Sequence, residues 1–191
     1  MKKILLYTTL ALAISLAWAC NSSKRWSHEE RVEIRKMLAD YRMMEYLNSL
    51  NDAEFILFSD GVSTTLEESF PSYTTFIVMP ALNDTISEYI VTSIVDEIEA
   101  DATNMKHLFP YHELVNNKIL PAKLDHPERH AFYSCMAGKI NTAYPDLSIF
   151  LNDMIGGDST CKANIRKFER ECTSDLFDWT ISEDVEVITE I

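Results

Sequence analysis

Glycine is scarce: Gly61, Gly138, Gly156 and Gly157 are the only four in 191 residues. Phosphate-cradling loops, dinucleotide-binding turns and the G-x-S-x-G elbow of serine hydrolases each need glycines at fixed spacing, because only glycine takes positive φ freely or lets backbone amides close on an anion. None of those spacings occurs, so those chemistries have no motif here. The shortage also disfavours an all-β design, which spends glycine on tight hairpins.

Basic residues are the second shortage. Seventeen Lys and Arg face 30 Asp and Glu, a formal charge of −13. From Met43 to Met105 there is no Lys or Arg at all, while Glu45, Glu54, Glu67, Asp84, Glu88, Asp96 and Glu99 are among the acids present; Thr173 to Ile191 likewise has no basic side chain. Such a field repels phosphate backbones, so no nucleic-acid partner is expected. Solubility alone accounts for an acidic surface; cationic partners or divalent ions are the sharper reading. No clustered Asp-x-Asp-x-Asp-Gly loop is present to hold calcium.

What is present suffices for a folded core. At 47% hydrophobic and 10% aromatic the chain is neither disordered nor low in complexity. The N-terminus reads differently from the rest. Lys2 and Lys3 precede an apolar run from Ile4 to Trp18, and Ala19-Cys20 follows. Basic, apolar and small residues in that order make a secretory signal, and about fifteen residues fall short of the roughly 20 that span a bilayer. Ala17-Trp18-Ala19 fits the small-x-small rule of ordinary signal peptidase, and Leu16-Ala17-Trp18-Ala19-Cys20 resembles a lipobox, the mark of bacterial lipoproteins. The two readings cut at the same bond, before Cys20. The family usually carries Leu three residues before the cysteine and a small residue two before it, where this chain has Ala17 and Trp18. The resemblance implies a diacylglycerol on the Cys20 thiol, an acylated amine, and a lipid anchor in the cell envelope, at the outer membrane. Secretion as a soluble periplasmic protein is the alternative. On this reading residues 1–19 are a signal peptide, 20–26 a tether and 27–191 one acidic domain.

That domain reads as mainly α, a single multi-helical unit with short strands at 54–58, 74–79 and 184–191. Ser27-His28-Glu29-Glu30 is a capping box opening a helix to about Leu50, on the spacing of Val32, Ile34, Leu38, Tyr41, Met44 and Leu47. Phe55 to Phe58 and Thr74 to Met79 are short apolar runs compatible with strands. Thr85 and Glu88 form a second capping box before Ile86, Ile90, Ile94 and Ile98. Pro110 starts a short helix, Asp125-His126-Pro127-Glu128 starts one to about Ala143, and Leu147 to Ile155 is another, closed by Gly156-Gly157. Asp158 or Ser159 caps a last helix to about Cys172.

With Cys20 lipidated, Cys135, Cys161 and Cys172 remain. On one helix Cys161 and Cys172 would stand about 16 Å apart, beyond the roughly 7 Å a bridge tolerates. A disulfide therefore joins Cys135 to Cys161 or to Cys172, or all three stay unpaired in the core. Four of the five histidines lie between His107 and His130. His126 and His130 are i and i+4, and His112-Glu113 precedes them, so His112, His126, His130 and Glu113 are candidate ligands for a divalent metal. The pattern is not H-E-x-x-H. Two functions follow from this: a non-enzymatic binding module of the envelope, with an envelope protein or small molecule as ligand and no cofactor, or a small metal-dependent hydrolase built on the histidines. No catalytic residue is assigned.

Overall fold

The structure, a computed structural model, describes residues 25–177. It is a single helical domain with no strand among the described residues. The elements are α1 (His28–Ala39), α2 (Glu45–Ser49), α3 (Asp52–Ser69), α4 (Tyr73–Phe76), α5 (Leu82–Ala100), a 3-10 segment (Ala102–His107), α6 (Tyr111–Asn116), α7 (His126–Ala143), α8 (Leu147–Ile155) and α9 (Ser159–Phe177). None of these helices is long and apolar enough to cross a membrane.

Side-chain caps set several of the helix starts. Ser27 and Glu30, and Asp125 and Glu128, satisfy each other's backbone amides as capping boxes. A third box was not expected: the Asn51 side chain accepts from the Ala53 and Glu54 amides (2.9 and 3.0 Å), and the Glu54 carboxylate accepts from the Asn51 amide. It starts α3 and overturns the strand expected at 54–58. The apolar run there straddles the helix instead, with Phe55 and Phe58 buried three residues apart and Leu57 72% exposed.

Residues 74–79 are not a strand either. Phe76 is packed between the rings of Trp26 and Phe70 at 5.3 Å from each, and the Ile77 amide donates to the Tyr73 carbonyl (2.9 Å), closing one helical turn. Burying Phe76 among aromatics outweighs the β preference of the threonines. The strand expected at 184–191 lies outside the described residues.

Helix boundaries also move, the last helix running on past the expected Cys172 to Phe177. The helix expected from Ser27 to Leu50 breaks after Ala39, where the Asp40, Tyr41 and Arg42 amides turn back to the Met37, Leu38 and Ala39 carbonyls. The break lets the Tyr41 hydroxyl donate to the Asn83 carbonyl and places Arg42 over the Phe55 ring at 4.2 Å, contacts that a continuous helix would aim elsewhere. Thr85 is not a cap: α5 starts a turn earlier, and the Thr85 amide already donates to the Ala81 carbonyl.

The helices pack in a series. α1 lies on α3, α3 on α5, and α5 on α8 and the 3-10 segment; α7 packs on the 3-10 segment and on α9, and α8 is held between α5 and α9. Ile34, Leu47, Val62, Ile90, Met105, Phe132, Ile140 and Phe150 are among the fully buried side chains at the junctions. Trp26, expected at the end of the tether, belongs to this core at 5% exposure. Its amide donates to Glu67, its indole N–H to the Phe70 carbonyl (3.0 Å), and Glu67 in turn pairs with Arg31.

Candidate functional site

The helix series leaves a groove of about 440 Å³ between α5 and α8. α5 supplies Asp84, Ser87, Glu88, Thr92 and the Val91 floor, and α8 supplies Ser148 and Asn152. The helical period explains the α5 side: Asp84, Glu88 and Thr92 recur every four residues on the face opposite the buried Ile86, Ile90 and Ile94. On α8, Leu147, Phe150 and Leu151 turn inward, which turns Ser148 and Asn152 to the groove. No cation of the chain makes an ion pair with Asp84 or Glu88 among the described residues, whereas Glu67 of the same basic-free stretch is paired with Arg31. The lining is mostly polar, with two carboxylates, three hydroxyls and an amide around Val91, its one apolar side chain. Such a groove can hold an amine or guanidinium on the carboxylates while its stem lies on Val91.

A second polar group lies deeper. His107 is 6% exposed, with its Nδ1 2.9 Å from Ser49 Oγ and its Nε2 4.0 Å from Glu54 Oε1. Ser49 Oγ also lies 2.9 Å from the Tyr46 carbonyl, which cannot donate. Two contacts need two hydrogens, and one arrangement supplies both: Ser49 donates to the carbonyl and His107 Nδ1–H donates to Ser49. The imidazole nitrogen facing Ser49 is thus protonated and is no base for it, although serine, histidine and glutamate stand in line. Burial and then Lys106 hold the His107 pKa below its ordinary value, against an opposing pull from Glu54. The group ties α2 to the 3-10 segment and α3.

The candidate metal ligands stay apart. The His112 side chain is 75% exposed and lies 3.9 Å from its neighbour Glu113, itself 54% exposed. His126 and His130 are exposed on α7, His130 Nδ1 lying 3.4 Å from Ser134 Oγ. Among the described residues no three His, Cys, Asp or Glu side chains are gathered as a metal ion requires, so these four do not form a ligand set. Arg129, between the two histidines, stacks over Tyr111 at 4.0 Å and donates to the Leu124 carbonyl.

Cys135 of α7 is bonded to Cys172 of α9, with a Cα–Cα distance of 5.8 Å, and Cys161 is a buried free thiol whose pKa burial raises. Lys139 pairs with Glu171 (2.8 Å) across the same two helices. One turn before the bridge on α9, Glu169 is 8% exposed, and burial pushes its pKa up to about 7 against the pull of Arg166. Thr173, one turn further on, is fully buried with its hydroxyl unpaired. Cys20 lies outside the described residues.

Sequence reasoning flagged Asp84 and Glu88 as acids and missed their partners Ser148 and Asn152, which are some 60 residues away and carry no motif. It missed His107 as well, because a lone histidine 58 residues from its serine leaves no local signal. Compared with known proteins, the chain matches no family model, no curated sequence and no solved structure.

Proposed function

We propose that this chain is an exported binding module, held at the envelope membrane by a lipid on Cys20, whose α5–α8 groove receives a cationic ligand or partner. The groove carries the reading: two carboxylates one helical turn apart beside Val91, in no ion pair with a cation of the chain among the described residues. Export is supported by the order Lys2-Lys3, apolar run, Ala19-Cys20, and by the Cys135–Cys172 bridge, since disulfides persist in oxidising compartments. A lipid on Cys20 would leave a tether of about six residues before the fixed Trp26, spanning at most roughly 20 Å, and so hold the domain close to the headgroups.

Two measurements test the two halves separately. The intact mass of the envelope-extracted protein should show triacylation that Cys20→Ala abolishes; an unmodified chain beginning at Cys20 sinks the anchor. A tri-lysine peptide titrated into the extracted protein should bind, and Asp84→Asn with Glu88→Gln should weaken it about tenfold or more. Equal affinity for both proteins sinks the groove.

A further inference from the structure

We propose that the cationic partner of the groove is α9 of a second copy of this chain, so that the protein pairs through a two-fold interface centred on α8. The inference rests on the reading of the groove as a receiver of cations, and it names the partner.

Three kinds of surface adjoin each other here, because α8 packs against α5 on one flank and α9 on the other. The α5 flank carries Asp84 and Glu88. α8 itself exposes Ile149 (44%) and Ile155 (50%), two of the few large apolar side chains left in solvent. On α9, Lys162, Arg166 and Arg170 recur every four residues along an exposed face. Lys167 beside them pairs with Glu171 (3.9 Å), but these three make no ion pair among the described residues. In a chain of net charge −13, three cations in a row with no ion pair among the described residues are an exception that calls for a counterpart, even with Arg166 acting on the buried Glu169 of its own helix.

A surface that runs acid, apolar, base is complementary to itself under a two-fold rotation. Turning one copy about an axis through the outer face of α8 brings its α9 cations to the groove of its mate, brings the mate's cations to its own groove, and covers the isoleucines of both. The spacing agrees: Asp84 and Glu88 are one turn apart, as are Lys162 and Arg166, or Arg166 and Arg170, about 6 Å in each case. The net negative charge of each copy opposes pairing, but at 0.15 M salt exposed charges beyond about 8 Å are screened, so the local pairs decide. An anionic macromolecule of another kind would satisfy α9 and leave the isoleucines and the acidic groove uncovered.

The test uses the full chain in its own membrane. Ile149→Cys, close to the proposed axis, should form a disulfide-linked dimer when intact envelopes are treated with copper–phenanthroline as the oxidant, and wild type, whose one free thiol in the described domain is buried, should not. Adding Asp84→Lys with Glu88→Lys should cut the crosslinked fraction about tenfold, as should adding Arg166→Glu with Arg170→Glu. All four reversals together should restore it, because each copy then offers base in the groove and acid on α9. These sites are exposed, and circular dichroism of each variant checks the fold. Absence of dimer while extracted protein still binds tri-lysine overturns the pairing and leaves the groove reading standing. Loss of both overturns both. A dimer that the fourfold reversal fails to restore overturns this geometry.

Discussion

Ser49 Oγ and His107 Nδ1 meet at 2.9 Å across 58 residues of chain, and the hydroxyl donates its own hydrogen bond to the Tyr46 carbonyl. The pair fixes the orientation of the imidazole inside the domain, with the Tyr46 ring edge-on at 5.2 Å and Tyr46 itself bonded to Glu97. The groups facing His107 are thus Glu54, Lys106, Ser49 and Tyr46.

A buried histidine whose folded pKa lies below its unfolded value contributes stability that is present above about pH 6.5 and is lost as pH falls through the folded pKa. Urea denaturation followed from pH 7 to pH 5 should therefore show stability falling on the acid side, and His107→Gln should flatten that part of the profile. His107→Ala should cost about 2–4 kcal/mol at pH 7, because it leaves a cavity beside Tyr46 and removes the donor to Ser49. An unchanged acid limb in His107→Gln would show that the imidazole does not titrate against folding.

Glu169 gives the opposite slope. Its folded pKa of about 7 is above the unfolded value, so its contribution is fully present below about pH 4.5 and is lost as pH rises through 7. Glu169→Gln should raise the midpoint of thermal unfolding at pH 8 and leave it little changed at pH 4.5, with a difference on the order of 3 kcal/mol between the two ends. Since His107 and Glu169 act in opposite directions over overlapping ranges, the wild-type profile alone hides both. A Glu169→Gln variant no more stable than wild type at pH 8 would place the carboxylate in contact with water.

How much of this was legible in the sequence depended on range. Where one residue dictates its neighbours, as at the Ser27 and Asp125 caps or the Gly156-Gly157 stop, reading by position found the boundary that residue sets. The apolar runs at Phe55 and Thr74 misled because four consecutive hydrophobics carry no period, and the deciding signal was the Asn51 cap in one case and the Trp26 and Phe70 rings in the other. The break at Asp40 was invisible for a similar reason, since it serves contacts with Asn83 and Phe55. Of the groove, only the α5 carboxylates were visible, as part of a charge asymmetry. The exclusion of a Cys161–Cys172 bridge needed only the rise of a helix, but the choice of Cys172 over Cys161 as partner of Cys135 needed α7 and α9 side by side.

The bridge itself closes a loop of 37 residues that contains α8 and most of α9. Cross-linking such a loop restricts the unfolded chain by about 4 kcal/mol in the chain-entropy account. Cys135→Ala with Cys172→Ala should lower stability by roughly 3–4 kcal/mol, measured as the shift in urea midpoint, and reduction of wild type should do the same. Cys161→Ala is the control, costing only its cavity. If reduction leaves the midpoint in place, the pairing of α7 with α9 is held by packing and by the ion pairs of Lys139 with Glu171 and Asp175.

Trp26 offers the last test, because it joins the proposed tether to the core. Its ring is edge-on to Tyr73 at 5.2 Å and tilted against Phe76 at 5.3 Å, and its two N–H groups are both bonded. Trp26→Ala should cost about 3–5 kcal/mol, and Trp26→Phe, which keeps a buried ring but loses the donor to the Phe70 carbonyl, about 1–2 kcal/mol. The loss should also be felt locally: with the anchor point gone, protease should cleave near residues 25–30 before it cleaves within α3. Were Trp26→Ala as stable as wild type, the domain would begin at Ser27 and the tether would be one residue longer, giving the groove on α5 more freedom to turn from the membrane.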